Sequence, residues 1–251
     1  MSKQVFWGRA NALIALVALA ATAAPPARAQ DYDAIVAASD RSDADRQTDQ
    51  RRAPAKMLAF TGVQAGMRVM DVEANAGYST ELLARAVGPT GRVYAQDSQA
   101  LIDSLVKDKF DQRAQKPAMQ NVVHVIRNFD DPVPPDVNNL DMVTIFYAYH
   151  DITYMPVDRA AMNAKLFAAL KPGGVLVIAD HSARQGDGVS VAKTFHRIEE
   201  ATLKQEVQAA GFKLVAEGDF LRNPEDSRDF IVFKPKVPVD NFVLKFQKPA
   251  S

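Results

Sequence analysis

The chain has 251 residues, 47% hydrophobic and 24% charged, with 30 basic residues against 30 acidic ones and no cysteine. That composition fits a soluble globular fold with a sizeable core. It excludes disulfides and cysteine-ligated metal, and it lacks the basic surplus that a nucleic-acid partner requires.

Residues 1–29 read as a targeting segment outside that core. Lys3 and Arg9 precede an apolar run, Ala12–Ala24, and Ala27-Arg28-Ala29 offers a cleavage site before Gln30. This is the pattern of a secretory signal peptide, too short to span a bilayer, which takes about 20 apolar residues. No Arg-Arg pair precedes the run, so the general secretion route is expected over the twin-arginine route. The expectation is an exported, periplasmic protein cut after Ala29, with no membrane association beyond the signal. Cutting there removes Lys3, Arg9 and Arg28 and no acid, leaving 27 bases against 30 acids.

Residues 30–54 form a polar arm, expected to be helical or irregular, ahead of one domain over 55–251. Ala55–Gly62 reads as the end of a short helix. Strands are then predicted at Arg68–Val72, 92–96, Val122–Ile126, Leu140–Tyr147 and Gly174–Asp180, with helices near 79–87, 99–109, 157–170 and 190–210. Phe212–Glu217 and Asn241–Gln247 complete seven strands. Continuous apolar strands alternating with helices indicate an α/β fold: a doubly wound, mostly parallel sheet with helices on both faces. The last two strands lack a long helix between them, which suggests an antiparallel addition at one edge. Val191, Phe195, Ile198, Leu203 and Val207 give the 190–210 segment its helical stripe. Phe230–Phe233 has no clear place in this scheme.

Met67–Asp97 is the most informative stretch. A strand ending at Asp71 runs into the small-residue turn Glu73-Ala74-Asn75-Ala76-Gly77, then a helix, then a strand ending at Asp97. Such a unit holds a nucleoside: backbone N–H groups at the helix start meet a polar group, and the acid after the second strand accepts from ribose hydroxyls. Ligands in open α/β sheets sit beyond the carboxyl ends of the strands. The polar residues collected there are Asp71, Glu73, Asp97, Asn128, Asp130, Asp131, Tyr149, His150, Asp151, Asp180 and His181. Among them His150 and His181 suit a base near neutral pH, with Asp151 or Asp180 to orient them. His196 is expected on a helix surface beside Glu199 and Glu200, and His124 inside its strand.

Several segments in order resemble the class I S-adenosylmethionine-dependent methyltransferases. They are GYSTELLARAVGPTGRVYAQ, the Tyr149-His150-Asp151 triplet, LKPGGVLVIADHSA, FHRIEEA, LRNPED and DNFVLKFQKP. The resemblance covers about residues 55–249 and is strongest, in the tail, to a group of predicted bacterial methyltransferases. It implies a Rossmann-like methyltransferase fold and S-adenosyl-L-methionine as cofactor. The methionine part would lie against Asp71, Gly77 and Tyr78, the ribose on Asp97 and the adenine at Asp130. Tyr149, His150, Asp151 and His181 would stand near the methyl group and a small-molecule or exported acceptor. The family's loop reads Asp-x-Gly-x-Gly-x-Gly, whereas here Glu73 and Asn75 replace the first two glycines.

Those replacements, and a cofactor made in the cytoplasm, keep two other readings open. One is an exported binding protein for a nucleoside-like ligand on a degenerate, non-catalytic methyltransferase fold. The other is a metal-assisted enzyme using His150, Asp151, Asp180 and His181. No tight ligand spacing such as His-Glu-x-x-His is present, so the sequence assigns no metal.

Overall fold

A computed structural model describes residues 1–4, 30–106 and 108–250. The expected signal peptide lies almost wholly outside the described residues. Among those described, no helix is long and apolar enough to cross a membrane.

The arm is folded. It forms helices α1 (Tyr32–Val36) and α2 (Asp43–Arg52), followed by α3 (Pro54–Thr61). Ser42 caps α2 by accepting from the Asp45 amide, with acids in the first turn and Arg51 and Arg52 in the last, as the helix dipole favours. The domain continues as β1 (Arg68–Val72), α4 (Tyr78–Val87), β2 (Arg92–Asp97), α5 (Gln99–Leu101), α6 (Lys109–Ala114), β3 (Val122–Ile126) and β4 (Leu140–Phe146). It ends with α7 (Tyr149–Ile152), α8 (Arg159–Ala169), β5 (Leu170–His181), α9 (Ala192–Phe195), α10 (Glu200–Ala209), β6 (Lys213–Gly218) and β7 (Asn241–Gln247).

The seven strands lie in the order β3-β2-β1-β4-β5-β7-β6. Pairing is parallel from β3 to β5, and β7 runs antiparallel to both β5 and β6. The expected doubly wound sheet with an antiparallel edge is therefore present. Val69, Met70, Val72, Val143, Ile145, Leu176, Ile178, Phe242 and Leu244 are fully buried in it. The strand order reverses between β1 and β4, so the loops after these two strands face one crevice.

Two expected helices are broken. The 99–109 helix gives way after Leu101 to a π-helical turn, Ile102–Val106. The 190–210 helix is interrupted at His196, which closes α9 with φ 55°. The interruption has a cause. The side chain of Arg197 is fully buried and donates to Asp226 at 2.8 Å and to the Ser182 and Phe230 carbonyls, while Ile198 bridges to Ser182. A continuous helix would turn these groups away. Phe230–Phe233 acquires its role here: the Val232 amide donates to the Phe195 carbonyl, and Phe233 packs on the His196 ring at 4.6 Å.

Candidate functional site

The loop from β1 to α4 keeps a glycine-type backbone without most of the glycines. Glu73, Asn75 and Gly77 all adopt left-handed φ, at 56°, 54° and 77°. The Ala74 amide donates to the Gln96 carbonyl and the Asn75 amide to Asp97 at 2.9 Å, so the end of β2 holds the turn in place. Gly77 is required twice over. Its φ suits glycine, and a Cβ there would come within 3.0 Å of Arg113 Cδ and 3.3 Å of the Phe110 ring. Asp71 is buried and accepts from Ser79, Thr80 and Thr144, tying the start of α4 to β4.

Glu73 is buried, and among the described residues its Oε2 has no partner; neither has Asn75 Oδ1. Burial, with the nearby charge of Asp151, holds the Glu73 carboxyl well above the usual carboxylate range. A left-handed non-glycine residue costs about 1 to 2 kcal/mol, and an unpaired buried polar atom adds about 1 to 3 kcal/mol. Glycine's extra backbone freedom takes back about 0.5 to 1 kcal/mol, so Glu73→Gly is expected to raise stability by about 1 to 4 kcal/mol, read as a higher denaturant midpoint. An unchanged or lower midpoint would show that the carboxylate is fully satisfied.

Around this loop the arm forms an ionic clamp. Arg113 donates to the Ala76 carbonyl, pairs with both oxygens of Asp45 and reaches Glu81 at 2.5 Å. Asp49 pairs with Arg41 at 2.6 Å and accepts from the Tyr78 hydroxyl at 2.6 Å. Arg52 lies over the rings of Tyr78 and Tyr147, 5.2 and 4.4 Å from their centroids, and no carboxylate pairs with it among the described residues. Asp97 ends β2 fully buried, with its second oxygen on His124 Nε2 at 3.1 Å. Phe110 stacks on that imidazole at 4.0 Å. Asp130 is half-buried beyond β3, apart from the histidine cluster described next.

Across the crevice, beyond β4 and β5, stands that cluster. His150 Nδ1 meets Asp180 Oδ1 at 2.6 Å, and its amide donates to Asp180 Oδ2 at 2.9 Å. His150 Nε2 lies 3.1 Å from Asp151 Oδ1 and 3.3 Å from His196 Nδ1. His196 Nδ1 is itself 3.0 Å from Asp151 Oδ1, which also accepts from the Tyr154 hydroxyl. Burial alone would lower the His150 pKa, but the charges of Asp180 and Asp151 raise it to about 10. Asp151 answers in the opposite sense, held below its usual range by its bonds to His150 and Tyr154 despite its burial.

The other two expected site residues stand elsewhere. His181 lies next to the cluster with its Nδ1 on Asn241 Oδ1 at 2.5 Å, and burial pushes its pKa down to about 4. Tyr149 points away, into the helices, where its buried hydroxyl donates to Glu206 and accepts from Asn163.

His196 corrects the sequence reading. It does not pair along a helix with Glu199 and Glu200. Glu199 accepts from the Gly186 and Gly188 amides, Glu200 pairs with Lys204 and Arg222, and His196 turns to Asp151. The one sequence signal for this was the presence of a third histidine near the two strand-end histidines.

Residues 49–199 match the ubiE/COQ5 methyltransferase family. Among curated proteins, the ubiquinone/menaquinone biosynthesis C-methyltransferase UbiE of Shewanella halifaxensis is 32% identical over 130 residues, 52% of this chain and 49% of that protein. UbiE of a Marinomonas species is 28% identical over 190 residues, 75% of this chain and 66% of that protein. The chain thus spans about half to two thirds of the length of these relatives. A SAM-dependent methyltransferase from Aquifex aeolicus shares the fold with TM-score 0.59 at 18% identity, covering 87% of this chain and 98% of that one. The cyclase SpnF shares it with TM-score 0.58 at 16% identity, covering 86% and 85%. Fold alone therefore does not fix the chemistry.

Proposed function

The chain belongs to the ubiE/COQ5 methyltransferase family, and from that premise we propose that it transfers a methyl group from S-adenosylmethionine to a small-molecule acceptor. The observation that carries this reading is the pair of buried acceptors, Glu73 Oε2 and Asn75 Oδ1, without a partner among the described residues, in a loop held in glycine-type geometry. Such atoms suit the cationic end of the cofactor, and Arg52 offers the matching cation for its carboxylate. When bound, the cofactor supplies an electrophilic methyl group on a sulfonium.

The remaining work falls to this chain's own residues. Glu73 takes the α-ammonium group, and Asp97 accepts from the ribose once His124 yields an oxygen. Acceptor alignment for in-line attack supplies most of the rate. His196, held on Asp151 at 3.0 Å, receives the proton that the acceptor loses, and the His150 imidazolium faces the same point. Asp180 fixes the His150 ring. Export rests on the sequence of residues 1–29; a mature N-terminus at Gln30, read by mass spectrometry of the cell envelope fraction, tests it.

Calorimetric titration of the chain with S-adenosylmethionine tests the proposal. A dissociation constant on the order of micromolar, about −8 kcal/mol, is expected, weakened at least tenfold in Asp97→Ala and in Glu73→Gly. The closure of Asp97 under His124 and Phe110 favours the second reading, a binding protein for another ligand. No binding up to millimolar cofactor would select that reading instead.

A further inference from the structure

His150 Nε2, His196 Nδ1 and Asp151 Oδ1 form a triangle with sides of 3.3, 3.1 and 3.0 Å. Two imidazole nitrogens facing one another this closely cannot both carry a proton without repulsion. Ligand atoms about 2.0 to 2.1 Å from one metal ion, at tetrahedral or octahedral angles, stand about 2.9 to 3.4 Å apart. The triangle fits that spacing on every side.

The chemistry of the set agrees. Two imidazoles and one carboxylate on a single face are the donor set of open transition-metal centres. The second nitrogen of His150 is taken by Asp180 at 2.6 Å, the carboxylate–histidine arrangement that orients a ligand toward a metal. The unpaired oxygen of Glu73 lies close enough for the charges of Asp151 and His150 to act on it.

We propose that His150, Asp151 and His196 bind one divalent first-row transition metal ion, with Asp180 as a positioning residue. The ligand set differs from the one open to the sequence. His196 enters, His181 leaves for Asn241, and Asp180 moves behind His150. Binding stands on this geometry alone; only its use in acidifying an oxygen acceptor, whose proton then leaves to water, rests on the methyl-transfer reading.

The test is a Co(II) titration of the chelator-treated full chain, followed by visible absorption and with no S-adenosylmethionine present. One equivalent binds, and His196→Ala and Asp151→Ala each weaken it by about 100-fold or more. Asp180→Asn weakens it by about 10- to 100-fold, and His181→Asn leaves it within about threefold. Where an alanine variant fails to give the wild-type circular dichroism, His196→Asn replaces it. Absence of binding at millimolar Co(II), or binding indifferent to His196, overturns the proposal. Cofactor affinity is measured separately, so either reading can fail alone.

Discussion

In metal-free protein, replacing Asp180 by Asn costs about 1 to 4 kcal/mol of stability near pH 7, and the loss shrinks as the pH rises toward 10. The reason is that Asp180 holds His150 as an imidazolium. The folded pKa of His150 is raised to about 10 from an unfolded value near 6.5. That contribution is fully present below pH 6.5 and is lost as pH climbs through 10. An opposite charge at this distance favours the charged imidazole by about 1 to 4 kcal/mol, and Asn removes it. His181, whose ring centroid lies 5.5 Å from that of His150, has the opposite linkage. Its folded pKa is lowered to about 4, so its neutral form stabilises above pH 6.5 and that stability is lost as pH falls to 4. His181→Asn should therefore flatten the acid side only. Urea denaturation at half-unit intervals from pH 4 to 10 checks both. Glu73, whose carboxyl is also held above its usual range, adds to the decline with rising pH in every variant that retains it, so differences between variants are the quantity to read. A pH-independent penalty for Asp180→Asn would mean that His150 is neutral in the folded protein.

Arg197→Met is expected to cost about 3 to 5 kcal/mol, the penalty for stranding a buried charge. Arg197 and Asp226 are both fully buried as side chains, and every strong group on them is used. Arg197 spans the Asp226 carboxylate and two carbonyls, and Asp226 also accepts from the Arg228 and Asp240 amides. Removing the guanidinium leaves the carboxylate with its two amide donors but no counter-charge, and takes the Arg197 donor from both carbonyls. For a chain of this size the melting temperature should fall by roughly 6 to 20 °C. The double variant Arg197→Met with Asp226→Asn should recover part of that, because the stranded charge is gone while an acceptor remains for the two amides. A single variant within 1 kcal/mol of wild type would mean that water enters and solvates Asp226. The site should respond too, since Arg197 follows His196 directly.

The frame of the sheet could be read before the structure because each strand is a short apolar run bounded by turns. β3 and β7 fall on their expected residues, and the antiparallel edge follows from the missing helix before β7. The left-handed loop was legible as two replaced glycines, but its survival depends on amides donating to Gln96 and Asp97, which no motif records. Helix periodicity misread residues 190–210 because it counts apolar positions. It has no means of knowing that Arg197 turns inward to a carboxylate 29 residues onward. His196 was misplaced for the same reason, its partner lying 45 residues back. Tyr149 sat in the right triplet but on the wrong side of a one-turn helix.

The insertion of β7 between β5 and β6 has a consequence for how the chain is made. β6 has no place on the sheet until β7 has paired with β5. Some 66 residues separate the end of β5 from the end of β7, a synthesis time of about 3 to 13 s at ordinary ribosomal rates. Throughout that interval β5 presents a long, apolar, unpaired edge, the kind that recruits a strand from a neighbouring chain. The nascent protein is thus most vulnerable to aggregation when most of its parallel core already exists and only its closing hairpin is missing.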